Sequence, residues 1–103
     1  RIYKNKKYYK PVSYSAVKHG IVGITKYYAS LLAKYNVRCN CLSPGGILNN
    51  QPKSFVNKLE KLIPLRRMAK KDEYIGAIQF LASDASQYMT GHNLIIDGGR
   101  SII

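Results

Sequence analysis

Tyr14 and Lys18 stand four residues apart in the run Tyr14-Ser15-Ala16-Val17-Lys18. On a helix that spacing puts both side chains on one face, a turn apart. A free phenol has a pKa of about 10 and is a poor base at neutral pH. A neighbouring ammonium stabilises the phenolate, and each unit of downward shift is worth about 1.4 kcal/mol. Tyr14 could then exchange a proton with an alcohol or carbonyl, while Lys18 supplies the field and hydrogen bonds a ligand hydroxyl. The competing reading is a packed ring beside a snorkelling lysine, which a chain with 9 Tyr makes a serious alternative. His19 follows Lys18 directly, points about 100° away round the helix, and is no partner for Tyr14.

These residues need elements to hold them. Residues 1–12 are rich in Tyr and Lys without a stable period, and Lys10-Pro11 disfavours helix, so a loop is expected there. From Ser13 the residues Val17, Ile21, Ile24, Tyr28, Leu31, Leu32 and Tyr35 recur at steps of three and four. The spacing predicts a long amphipathic helix with Ser13 as N-cap and Asn36 as stop, and Tyr28 and Tyr35 as core or interface residues. About 22 residues make it roughly 33 Å long. Val37 to Leu42 reads as a short buried strand ended by Ser43-Pro44-Gly45-Gly46, the kind of position where α/β proteins bind ligands. Pro52 to Leu62 reads as a short helix broken by Pro64; Asp72 is expected to cap another, through Ile75, Ile78 and Leu81 to about Ser83. Asn93 to Asp97 reads as a second buried strand closed by Gly98-Gly99.

Helix, strand, helices and strand in that order imply an α/β fold with a parallel sheet covered on both faces. Two strands would leave apolar faces and edge groups exposed, so further strands are expected on the N-terminal side. The chain has 103 residues and is read as a single incomplete domain, 1–103. It opens on Arg1 without a signal peptide, and a fragment is the expectation. Hydrophobic residues at 46% and charged residues at 21% argue against disorder and low-complexity structure. No apolar run approaches the roughly 20 residues that cross a bilayer, so no membrane partner is expected. Cys39 and Cys41 are too few for a disulfide framework and lack the further Cys or His that zinc requires. They are read as small buried core residues in a cytoplasmic protein, with no metal. Seventeen Lys and Arg against 5 Asp and Glu give a net charge of +12. Such an excess suits nucleic acid or an anionic surface, yet no helix-turn-helix, zinc-finger or RNA-reading signature accompanies it.

Four motifs follow one another: Tyr14 to Lys18; Arg38-Cys39-Asn40-Cys41-Leu42-Ser43-Pro44-Gly45; Phe80-Leu81-Ala82-Ser83-Asp84; and Thr90-Gly91-His92-Asn93-Leu94-Ile95-Ile96-Asp97-Gly98-Gly99. In that order they resemble the short-chain dehydrogenase/reductase family, in its short-subunit branch, over about residues 11–101. The resemblance implies the C-terminal part of a Rossmann-like doubly wound parallel sheet. It also implies NAD or NADP as cofactor and a small-molecule substrate, a secondary alcohol or ketone. Tyr14 would be the catalytic acid/base and Lys18 the residue that lowers its pKa and binds the nicotinamide ribose, so both also count as cofactor-binding. Pro44 and Gly45 would lie beside the nicotinamide, and the Ile47 backbone would contact its carboxamide. Asn49 stands where the family usually has Thr. A homodimer or homotetramer is implied.

Some family features lie outside this pattern. The glycine-rich pyrophosphate turn is not in the sequence, and no serine occupies residues 1–12, where the catalytic serine usually falls; Ser13 is not assigned that role. The 103 residues alone are expected to be inactive and partly molten. Residues 43–52 are similar to those of bacterial members linked to flagellin or surface-polysaccharide sugars. Gln51, Lys53 and Arg66 would hold an anionic or hydroxylated substrate, or simply be solvated. A reductase of carrier-bound 3-oxoacyl chains is the alternative enzyme. The alternative of another class is an inactive basic fragment serving as an interaction or nucleic-acid-binding module.

Overall fold

A computed structural model describes residues 11–103; of the loop expected over residues 1–12 the first ten lie outside the described part, and Val12 already belongs to a helix, which Pro11 opens. Helix α1 runs from Val12 to Leu32 and is followed by a tighter turn, Ala33–Tyr35. It starts one residue ahead of the expected N-cap. Pro11 holds that position in extended geometry with no side-chain cap, and its carbonyl accepts the Tyr14 N–H at 3.0 Å. Proline sets the entry angle here without needing a hydroxyl. Asn36 ends the helix as expected, at φ 58°, the left-handed geometry that asparagine tolerates at a helix C-terminus. Its N–H bonds the Ala33 carbonyl at 2.9 Å, and the Val37 N–H reaches Leu32 at 3.3 Å.

Strand β1 is Cys41–Pro44 and β2 is Asn93–Ile96. They pair in parallel, from Cys41 opposite Asn93 to Pro44 opposite Ile96. The α/β class and the parallel sheet are therefore as expected, although β1 begins later than Val37. Ahead of Cys41, Gly91 sits at φ 76° and takes the partner chain out of extended geometry. One backbone bond remains there, from the Gly91 N–H to the Cys39 carbonyl at 2.7 Å, and side chains supply the rest: the Cys39 N–H donates to Thr90 Oγ1 at 3.1 Å, and the His92 N–H donates to Asn40 Oδ1 at 3.0 Å. Cys39 thus precedes the strand. Both cysteines are half-buried rather than deep in the core, with Cys41 Sγ 3.3 Å from Asn93 Oδ1.

Between the strands come α2, Lys53–Glu60, and α3, Ile75–Ala82. A tight turn, Lys71–Tyr74, leads into α3, with Lys70 in the cap position in place of Asp72. The carboxylate that serves this turn is Glu73, which accepts the Lys70 N–H at 2.7 Å. Asp72 has already entered the turn.

The buried stripe of α1 is not the bulky one. Thr25 and Ala29 are buried with Val22 and Leu32 half-buried, whereas Val17 is 62%, Ile24 57% and Tyr35 65% exposed. Small residues at 25 and 29 let the helix lie close to the sheet end, where a carbon added at Gly91 would come 3.4 Å from the Ala29 methyl. The larger apolar side chains face away because these two strands offer α1 a single narrow surface. A second cluster, Ile63, Met68 and Tyr74, fills the space at the carboxyl ends of the strands. Among the described residues no helix is long and apolar enough to cross a membrane, and no three metal-ligating side chains gather.

Candidate active site

The first two turns of α1 bring Tyr14 and Lys18 together as their spacing requires. The Lys18 ammonium stands 5.6 Å from the centroid of the Tyr14 ring, within cation–π range. The ring is 43% exposed, so it is presented to the surface rather than packed in a core. His19 is turned elsewhere: its Nδ1 donates to the Ser15 carbonyl at 2.8 Å, since a carbonyl can only accept.

The second group lies beyond the end of β1. The Gly45 N–H donates to the Ile96 carbonyl at 2.9 Å, and a side-chain carbon on Gly45 would fall 2.7 Å from Asp97 Cα. Only glycine fits that approach. On the next residue a side chain would meet Leu59 Cδ2 at 2.8 Å. Ile47 forms an isolated parallel bridge with Ala69, whose N–H goes to Gly46 and whose carbonyl takes the Leu48 N–H, each at 2.9 Å. In that pattern the N–H and carbonyl of Ile47 itself point to the opposite edge. Its carbonyl accepts from Gln51 Nε2 at 2.8 Å, and Gln51 Oε1 accepts the Asn49 N–H at 2.6 Å. Pro44, Gly45, Ile47 and Asn49 thus share one rigid loop. Of the side chains expected to touch a substrate, Gln51 is spent on this loop's backbone, and Arg66 donates to the Lys61 carbonyl at 2.9 Å.

A cleft of about 160 Å³ opens beside this loop, lined in part by Gly45, Gly46, Arg67, Glu73, Tyr74 and Asp97. Its polar frame was not legible in the sequence. The Tyr74 hydroxyl donates to the Ile96 carbonyl at 3.1 Å, and burial pushes this phenol above its ordinary pKa. Arg67 grips Glu73 through two bonds, of 2.7 and 2.6 Å. That grip, with the Lys70 N–H, lowers the Glu73 pKa to about 2, while Arg67 is raised. Asp97 is held below its ordinary value, chiefly by Ser101, although burial opposes this. Its oxygens take the N–H groups of Gly99 and Ser101 at 2.9 and 2.8 Å. Away from the cleft, ahead of β1, Arg38 donates to the carbonyls of Leu81, Ser83 and Met89. The partners of Tyr74 and Arg38 are remote in sequence, so no local pattern points to them, whereas those of Glu73 and Asp97 are local.

The region beyond the carboxyl ends of parallel strands is where open α/β sheets bind ligands. The family model described as enoyl-(acyl carrier protein) reductase matches residues 3–101. The D-arabinitol 2-dehydrogenase (ribulose-forming) of Candida tropicalis is 43% identical over 94 residues, which cover 84% of this chain and 33% of that protein. Post-translational flagellin modification protein A of Campylobacter coli is 35% identical over 97 residues, covering 94% and 38%. The short chain dehydrogenase of Leptospira borgpetersenii serovar Hardjo-bovis, solved with bound NAD+, superposes with a TM-score of 0.89 at 42% identity, covering 97% of this chain and 39% of that one. The chain belongs to the short-chain dehydrogenase/reductase family. It spans about a third of the length of the curated relatives it matches.

Proposed function

We propose that this chain supplies the proton-transfer pair and the nicotinamide-side loop of an NAD- or NADP-dependent oxidoreductase. Its substrate is a secondary alcohol or ketone of the polyol and sugar class. The observation that carries the reading is the exposed Tyr14 ring with the Lys18 ammonium 5.6 Å from its centroid, on the helix that leads into β1. The resemblance to a ribulose-forming dehydrogenase supports the substrate class. The family match over residues 3–101 favours an oxidoreductase over a basic interaction module.

The nicotinamide, when bound, supplies or accepts the hydride. The Tyr14 hydroxyl gives its proton to the carbonyl oxygen during reduction and takes it from the alcohol during oxidation. Lys18 stabilises the phenolate that remains and hydrogen bonds a ribose hydroxyl. Pro44, Gly45, the Ile47 N–H and the Asn49 side-chain amide would hold the nicotinamide end of the cofactor. A cytoplasmic homodimer or homotetramer is part of this reading, and the exposed bulky stripe of α1 supports it.

The test is Tyr14→Phe in the protein expressed from its complete reading frame, assayed with polyols and ketoses by nicotinamide absorbance. Turnover is expected to fall by about 100-fold or more, the usual share of a general acid. Cofactor affinity is expected to change little, because the ring remains. Turnover close to that of the unsubstituted protein would refute the assignment.

A further inference from the structure

Along one edge the loop after β1 is held by Ala69, and its other edge, the one Ile47 offers, needs a support of its own. Gly45 and Gly46 lack side chains to anchor it, and Asn50 takes left-handed geometry at φ 58°. One side chain bridges the gap. The Gln51 carboxamide uses both ends at once, Nε2 donating to the Ile47 carbonyl at 2.8 Å and Oε1 accepting the Asn49 N–H at 2.6 Å. The opposite orientation would set its NH2 against an N–H and its oxygen against a carbonyl, so the amide's direction is fixed by its partners. Gln51 is itself confined between Asn50 and Pro52, the residue that opens α2 in extended geometry at φ −55°.

We infer that Gln51 is a positioning residue for the cofactor. Its side chain occupies the Ile47 carbonyl and the Asn49 N–H, and leaves the Ile47 N–H as the edge offered to a ligand. A primary carboxamide meeting this edge finds a donor at Ile47 and no competing backbone acceptor there. Asn49, whose own N–H is consumed, acts through its side chain alone. Gln51 touches neither substrate nor cofactor; it acts by holding the loop. The inference rests on the nicotinamide reading above.

The protein from the complete reading frame is titrated with NADH and with NADPH by fluorescence, and steady-state constants are taken for both substrates. Gln51→Ala is expected to raise the cofactor Kd and KM by about tenfold, as for two lost neutral hydrogen bonds. The other substrate's KM should change by less than about threefold, and the thermal midpoint should fall by only a few degrees, since the bonds lost lie in one surface loop. Gln51→Glu separates a specific clamp from general loosening. Its carboxylate still accepts from Asn49 but faces the Ile47 carbonyl with no proton to donate, whereas its neutral acid has the donor–acceptor pattern of glutamine. The ratio of its cofactor Kd to that of wild type should therefore shrink as the pH falls from about 8 to about 5, approaching the carboxyl range. The same ratio for Gln51→Ala should stay flat. If wild type binds cofactor and Gln51→Ala binds equally well, or if the Gln51→Glu ratio ignores pH, the clamp is overturned while the nicotinamide reading stands. If wild type binds neither cofactor, both fall.

Discussion

Replacing Gly45 by alanine adds one carbon at the tightest point between the two strand ends. That carbon would sit 2.7 Å from Asp97 Cα, 3.0 Å from its Cβ and 3.2 Å from its carbonyl carbon. Carbon atoms prefer about 3.5–4.0 Å, so the strand ends must part by roughly 0.8 Å. The obstacle is backbone and cannot rotate aside. Asp97 is moreover tied by its carboxylate to the N–H groups of Gly99 and Ser101, and the Gly45 N–H bond to Ile96, at 2.9 Å, would stretch. Overpacking of this kind costs about 1–3 kcal/mol, and a weakened hydrogen bond adds about 1. Gly45→Ala is thus expected to lower the unfolding free energy by about 2–4 kcal/mol, read from urea titration of the protein at neutral pH. Gly46→Ala is the control. Its added carbon meets the ends of flexible side chains, Leu59 Cδ2 at 2.8 Å and Met68 Cε at 3.3 Å, which can swing away. It should cost less than about 1.5 kcal/mol. Equal costs for the two variants, or a harmless Gly45→Ala, would refute the claim that backbone approach demands glycine at position 45.

Arg38 donates to three carbonyls, those of Leu81 at 3.0 Å and of Ser83 and Met89 at 3.2 Å each. Arg38→Met should destabilise by about 2–3 kcal/mol in the same titration, because charge-assisted bonds are lost and carbonyls stranded. Arg38→Lys should recover less than half of that, since one ammonium cannot reproduce a planar fork. For Glu73, the folded pKa of about 2 lies below its ordinary 4.5, so the pair with Arg67 stabilises above pH 4.5 and is lost as pH falls toward 2. Glu73→Gln should flatten the acid limb of the stability curve in that window and leave its alkaline side unchanged. Because both side chains are exposed, added salt should shrink the difference. An acid limb with the wild-type slope would contradict this.

The sequence alone determined what depends on near neighbours. A period of three to four residues marked α1, a tyrosine and a lysine four apart had to share its face, and Pro44-Gly45 had to end a strand. The order of elements also required parallel pairing, because a strand, a helical crossover and a strand leave few other solutions. Which stripe of α1 is buried was not legible, since a helix with apolar residues on two faces states its period but not its neighbour. The sheet end accepted the small residues Thr25 and Ala29 and left Ile24 and Tyr35 outside. The start of β1 was misplaced for a similar reason: Val37 to Asn40 have strand-like composition, but the partner chain turns at Gly91, some fifty residues on, and after the bond from its N–H to the Cys39 carbonyl the ladder goes no further. Tertiary structure likewise decided the tasks of the polar side chains. Arg38 looks like any surface arginine until the carbonyls of Leu81, Ser83 and Met89 converge on it, and Gln51 looks like a substrate contact until the turn at Asn50 folds the loop back under its amide. Helical period and backbone restriction are local properties of the chain, whereas burial and hydrogen-bond partnership belong to pairs of segments that only folding brings together.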